Sequence, residues 1–309
     1  MRLLFMGTAP FACPTLRALV ASPHEIGAVV TQPDRPSGRG RKLAPSAVKT
    51  LALAHHLTVW QPASLRPPEV VEKITALRPD VIVVVAYGNI LPPAVLRLPP
   101  HRCMNLHASL LPQYRGPAPI NWTLIHGDTL TGYTIMQMDE HVDTGPILWS
   151  VACPVGPEDN ALSLGARLAE SGAQGMIEVL AQLEQGRLTA YPQPTEGVSY
   201  APKLTRDMGR IDWQQSAATI HNLIRGLVPW PGAMAVFRAL DVKIWRAALC
   251  TADHAQPPGT VLAVTPEGMQ VACGTEQLLV QELQPANRRR MSAREFIQGY
   301  HVQQGDRFA

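Results

Sequence analysis

In Asp80-Val-Ile-Val-Val-Val-Ala-Tyr-Gly88, Val81 to Tyr87 is an unbroken apolar run rich in β-branched residues. It falls far short of the roughly 20 residues that cross a bilayer. A run of this kind suits a strand buried on both faces, and strands covered on both faces belong to parallel sheets. The chain before it repeats one theme. Leu3-Leu-Phe-Met6 reads as a buried strand, Gly7-Thr8 breaks it, and Phe11, Leu16, Leu19 and Val20 follow at helical spacing. Ile26-Gly-Ala-Val-Val30 is a second strand, while 46–55, which Ser46 can cap, and 69–77 read as helices. Strands alternating with helices predict an α/β fold with a Rossmann-like, mostly parallel sheet. Only Gly7 stands where a dinucleotide fingerprint wants three glycines, so NAD binding is disfavoured.

After the run, Arg102-Cys-Met-Asn-Leu106 reads as the next strand and leads into His107-Ala-Ser-Leu-Leu-Pro-Gln-Tyr-Arg-Gly-Pro117. Asn105 and His107 share a face and sit at a carboxyl strand end, where open α/β sheets bind ligands. An amide that donates to a charging carbonyl oxygen, beside an imidazole that moves protons near neutral pH, suits acyl transfer. A third group should orient that imidazole. Asp143 in His141-Val-Asp-Thr-Gly-Pro146 is the candidate, delivered by the loop 139–145 after an alternating strand over 131–139. Taken singly, the three are a turn cap, a core histidine and an Asx-turn residue. Jointly they read as a site. Gly88 and Asn89 end their strand in a loop expected beside the one after Asn105, where backbone groups could read a flat heterocycle. Ser109 is the one hydroxyl close by; as a nucleophile it would need His107 as its base, so direct transfer is expected over an acyl-enzyme.

The run Asn-x-His-x-Ser-Leu-Leu-Pro-x-x-Arg-Gly, with a later Asp-Thr-Gly turn, resembles the formyltransferases that use 10-formyltetrahydrofolate, and the likeness covers nearly the whole chain. It is nearest to the branch that acts on charged tRNA. The resemblance implies transfer, without a metal, from 10-formyltetrahydrofolate to the α-amine of methionyl initiator tRNA in translation initiation. It makes Asn105, His107 and Asp143 catalytic. It implies folate contacts at Val85, Ala86, Tyr87 and Gly88, at Ser109, Leu110, Leu111 and Pro112, and at Met138 and Asp139. Related enzymes that formylate an amino-sugar nucleotide or a purine precursor, or that hydrolyse formyltetrahydrofolate, share this core. From another class, a folate-sensing RNA-binding protein without catalysis would carry the same fold. One departure is local: Gly7-Thr-Ala-Pro-Phe11 lacks the polar residue that relatives usually show after Gly-Thr-Pro.

A chain of 309 residues exceeds one comfortable core, so two domains are expected. At 46% hydrophobic and 17% charged it has an ordinary soluble composition, and a net charge of +3 leaves any nucleic-acid surface to be local. One candidate is the loop Gln32 to Pro45, whose Arg35, Arg39, Arg41 and Lys42 face a single Asp34 and whose glycines and prolines argue against regular structure. By composition it is as much a solvated loop as a phosphate contact; the resemblance implies tRNA binding at Arg39, Arg41 and Lys42. Residues 160–185 read as a long helix, and 186–203, with Pro192, Pro194 and Pro202, as a linker. A helix over 214–225 and short strand-like runs at 233–237, 242–245, 260–263, 268–272 and 278–283 then suggest a small barrel or sandwich. The resemblance implies an OB-like β-barrel there that contacts tRNA. Lys203, Arg206 and Arg210, with Arg288, Arg289 and Arg290, could form its backbone-binding stripe. The expected division is a folate-binding catalytic domain over 1–186, a linker over 187–205 and a tRNA-binding barrel over 206–309. Five scattered cysteines without a Cys-x-x-Cys pair read as buried free thiols rather than disulfides or a zinc site. The apolar N-terminal run is too short for a signal peptide, so a cytoplasmic location is expected; the chain is also expected to be a monomer.

Overall fold

The β-branched run forms the strand Val81–Val85, buried at every residue, and its side chains enter two cores in alternation. Val81, Val83 and Val85 pack with Leu3, Phe5 and Val29 on one face; Ile82 and Val84 pack with Leu4, Met6 and Val30 on the other. That two-residue period with both faces apolar is the signature of a covered parallel sheet. The computed structural model describes residues 1–37 and 42–309, with Ser37 and Lys42 described in backbone only. The chain divides into two compact units.

The first unit comprises Met1–Pro119, Leu130–Pro154 and Gly165–Ala201. Its sheet has the strand order Val59–Trp60, Glu25–Val30, Arg2–Gly7, Val81–Val85, Cys103–His107, Leu130–Gln137 and Ile147–Pro154. The first five strands run parallel; the last two are antiparallel to their neighbours. Ser46 caps the helix Ala47–Ala54 by accepting from the Lys49 amide. Met176, Val179 and Leu180 of the helix Ala161–Glu184 cover one sheet face. At Gly172 an added Cβ would meet the Leu106 side chain at 2.8 Å, so this helix backbone lies directly over the strand bearing Asn105 and His107.

Two stretches differ from the sequence reading. Arg35–Ser37 pairs antiparallel with Lys42–Ala44, so the basic loop has a regular stem; a two-stranded ribbon has an open edge on which Pro36 sacrifices no ladder bond. Arg39 and Arg41 lie outside the described residues, as does the Lys42 side chain. Asp34 beside the stem is held by Lys49 at 2.7 Å and Gln61 at 2.7 Å, and those hydrogen bonds keep its carboxyl below the usual range. The proline-rich stretch after Gly186 carries pairing that its composition conceals. Tyr191 exchanges backbone hydrogen bonds with Ile147, and Ser199 and Ala201 pair with Arg115.

The second unit comprises Ile120–Thr129, Val155–Leu164 and Pro202–Ala309. Its antiparallel sheet runs Ala233–Phe237, Leu240–Cys250, Gln277–Pro285, Gly268–Ala272, Val261–Thr265. Residues 305–309 join the two outer strands: the Val236 and Ala309 backbones exchange hydrogen bonds on one side, and Val261 donates to the Asp306 carbonyl on the other. Phe308, 1% exposed, drops between Trp213 and Phe237 beneath this closure. Asn121 donates to the Gly226 carbonyl, and Arg225 reaches the carbonyls of Gly156 and Asp159, which ties the two short early segments to the helix Ala217–Gly226. All five cysteines are free, and burial pushes the Cys103 and Cys273 thiols up to about 12. Among the described residues no helix is long and apolar enough to cross a membrane.

Candidate active site

The strand Cys103–His107 pairs with Val81–Val85 on one side and Leu130–Gln137 on the other, so its position is fixed from both edges. Asn105 and His107 face the same side as Cys103, which lies in the second of the two sheet cores. Asn105 is half-buried, and its side-chain amide makes no hydrogen bond to any described residue. His107 is 6% exposed, and its two ring nitrogens point at different acceptors. Nε2 lies 2.9 Å from the Tyr114 carbonyl, which can only accept, so Nε2 carries hydrogen. Nδ1 therefore faces Asp143, with Oδ2 at 3.6 Å.

Asp143 arrives by an indirect route. Leu130–Gln137 is antiparallel to the histidine strand, with Thr134 opposite His107 and Gln137 opposite Met104. Its loop thus begins at the sheet edge away from His107, not at the shared edge that a parallel arrangement would give, and folds back over the strand. Gly145 permits the fold-back, since a Cβ there would stand 1.7 Å from the Gln137 carbonyl. Asp139 braces it by accepting from the Thr144 hydroxyl at 2.7 Å and the His141 amide at 3.0 Å. Asp143 itself has φ of 55°, and its Oδ2 accepts from the Gly116 amide at 2.8 Å. One turn, Tyr114-Arg-Gly116, therefore touches both the imidazole and the carboxylate.

Residues expected at the ligand divide into two sets. Val85 and Tyr87 are buried, as are Ser109, Leu111 and Pro112, whereas Ala86 and Gly88 are exposed and Leu110, Met138 and Asp139 half-buried. Ser109 gives its hydroxyl to the Gln113 carbonyl at 2.6 Å rather than to His107. The carbonyls of Ala86 and Tyr87 are already engaged by Thr8 and Gln32. A cavity of about 360 Å³, lined by Arg66, Val71, Ile90, Leu91, Pro92 and Glu140 among others, is bordered by none of the residues expected at the ligand. Three supporting side chains escaped the sequence reading. Thr134 donates to the Ser109 carbonyl and accepts from the Leu111 amide, which fixes the Leu-Leu-Pro turn. Ser199 accepts from the Tyr114 amide. Gln193 donates to the carbonyls of Asp143 and Gly145 at 2.8 and 2.9 Å, while its oxygen accepts two bonds from Arg115 at 2.7 and 3.1 Å. The signal for Thr134 was a polar residue within an apolar strand; for Gln193, amid prolines, there was none.

The profile described as "Formyl transferase" matches residues 1–180, and that described as "Formyl transferase, C-terminal domain" matches 203–301. A methionyl-tRNA formyltransferase of Aromatoleum aromaticum is 49% identical over 308 residues, covering 100% of this chain and 97% of that one. Its counterpart in Trichlorobacter lovleyi is 47% identical over 304 residues, 98% of this chain and 96% of its own length. The chain belongs to the methionyl-tRNA formyltransferase family. A solved structure of HypX from Aquifex aeolicus, in complex with tetrahydrofolic acid, shares the fold with a TM-score of 0.66 at 17% identity; this chain is covered in full and spans 50% of that protein.

The basic residues expected to serve this family's RNA partner are differently placed. Lys203, Arg206, Arg210 and Arg288 are exposed. Arg289 pairs with Glu295 at 2.5 Å; Arg290 pairs with Glu282 and lies over the Trp245 ring. The last two charges are thus already answered within the second unit. Among the described residues no group of three or more His, Cys, Asp or Glu side chains could hold a metal ion.

Proposed function

We propose that this chain transfers the formyl group of 10-formyltetrahydrofolate to the α-amine of methionine esterified to initiator tRNA, for translation initiation in the cytoplasm. One observation carries the reading: an Asn105 amide with no hydrogen bond to any described residue shares a strand face with a buried His107 whose Nδ1 faces Asp143. The donor supplies an activated one-carbon acyl group. A bond forms between the amine nitrogen and the formyl carbon, the bond from that carbon to N10 breaks, and one proton passes from the amine to N10.

Asn105 donates to the formyl oxygen as negative charge gathers there, the kind of contact that contributes about 10²–10³ in turnover. Asp143 Oδ2 is held by Gly116 and lies against His107, which leaves Oδ1 to take the proton from the amine, directly or through a water. His107, fixed by the Tyr114 carbonyl, sets its Nδ1 3.6 Å from the carboxylate, where a protonated ring would offer it a neighbouring positive charge. The exposed residues Ala86 and Gly88, with the half-buried Leu110, Met138 and Asp139, would cradle the folate. The tRNA would be held by Arg39, Arg41 and Lys42 and by Lys203, Arg206 and Arg288 of the second unit. The labour divides between a folate-binding part and an RNA-binding barrel within a monomer.

The test is a formyl-transfer assay that offers charged initiator tRNA, free methionine, an amino-sugar nucleotide and water as competing acceptors. Formylmethionyl-tRNA should dominate. Formate as the main product would instead make the chain a hydrolase.

A further inference from the structure

We infer that Gln193 is a positioning residue for Asp143, acting from the proline-rich stretch through the backbone of the Asp143 loop; this rests on the proposed role of Asp143. The orientation of its amide follows from chemistry. The groups facing one end are the carbonyls of Asp143 and Gly145, which only accept, and the group facing the other is the Arg115 guanidinium, which only donates. Both N–H groups and both lone pairs of the amide are therefore used.

The connection closes a ring around the site. Tyr114 holds His107 by its carbonyl, Gly116 holds the Asp143 carboxylate by its amide, and Arg115 between them holds the Asp143 backbone through Gln193. Asp143 needs such fastening. Its φ of 55° is a left-handed conformation that a loop keeps only when its surroundings enforce it. The gap between His107 and Asp143, 3.6 Å, is too long to be a hydrogen bond, so the pair does not hold itself together. Gly116 fixes one carboxylate oxygen, and Gln193 fixes the main chain from which that carboxylate hangs.

Gln193→Glu is the sharpest probe. It keeps size and the pairing with Arg115 but turns a carboxylate oxygen toward two carbonyls, so the loop loses both donors. Single-turnover formyl transfer with enzyme in excess should fall at least about 10-fold in Gln193→Glu and Gln193→Ala, with the KM for each substrate held within about twofold. In an Asp143→Ala background the same changes should cost less than about twofold, because a residue that acts through Asp143 has nothing left to position. Equal losses in both backgrounds would reduce Gln193 to a general support of the fold. A second measurement needs neither substrate: the ¹⁵N resonance of His107 Nδ1 should move in Gln193→Glu in the same direction as in Asp143→Ala. An unmoved resonance in a folded variant overturns the assignment. A wild-type chain that formylates no acceptor would strike the proposed function instead, leaving the resonance to decide the positioning.

Discussion

At the scale of single residues, Asn105, His107 and Asp143 should behave as one unit. Asn105→Ala should lower kcat by about 10²–10³, the usual loss on removing one preorganised donor. Asp143→Asn keeps shape but cannot take a proton; wild-type turnover in that variant would end the proton-transfer role. Pairs of these substitutions should cost much less than the sum of the singles. His221 gives a prediction in pH. Burial, helped by the neighbouring Arg225, lowers its pKa below the ordinary 6.5, while Glu158 and the Ala247 backbone oppose the shift. The unfolded chain therefore binds the proton first. Its contribution to stability is intact above about pH 6.5 and is lost as pH falls from there toward the folded value. Urea midpoints at pH 7.5 and 5.5 should differ less in His221→Gln than in the wild type, and an identical drop in both would clear His221 of any part in acid sensitivity.

Among elements, the strand Cys103–His107 was readable because its requirement is local: two polar residues spaced by two in an apolar strand, followed by turn chemistry. The long helix was readable too, from its 3.6-residue pattern, and so was the series of short strands in the second unit. The Asp143 loop was half readable. Its residues announced a tight turn, but the antiparallel register that starts it at the opposite sheet edge is a property of pairing between Gln137 and Met104, which no single stretch encodes. Gly172 shows how packing depends on such pairing, since its value lies in a distance to Leu106 across the sheet. Leu106→Ala, which removes a side chain 3% exposed beneath the helix, should cost about 2–5 kcal/mol of unfolding free energy. Arg39 and Arg41 fall in the sequence between the paired segments Arg35–Ser37 and Lys42–Ala44, and that spacing carries its own prediction. Replacing Arg39, Arg41 and Lys42 together by Ala should weaken tRNA affinity and flatten its salt dependence by about one unit of slope for each phosphate left unneutralised. Unchanged folate binding with an unchanged slope would return the loop to plain solvated surface.

For the whole molecule, the least legible feature was where the units divide. Composition places a linker after Gly186, yet Tyr191, Gln193, Ser199 and Ala201 are hydrogen-bonded to Ile147, Asp143 and Arg115 of the first unit. Segments 120–129 and 155–164 group instead with Pro202–Ala309. Such assignments depend on contacts distant in sequence, and prolines, which fix φ and remove a donor, hide the donors and acceptors on either side of them. A chain ending at Gly186 should therefore fail in two specific ways. It deletes the Tyr191 carbonyl that accepts from the Ile147 amide, and it removes the helix whose Gly226 carbonyl accepts from Asn121 and whose Arg225 binds Gly156 and Asp159. Leu124, fully buried in the intact chain, loses its surroundings in the second unit. Hydrogen exchange should find the amides of Ile147 and Gly116 protected in the full chain and open in the shortened one. A chain ending at Ala201 should keep both protected, since it retains Tyr191, Gln193 and Ser199, even if the 120–129 segment frays. Native protection of both amides in the chain cut at Gly186 would mean that the stretch 187–201 is a tether after all, and that the loops around Asp143 hold their shape without it.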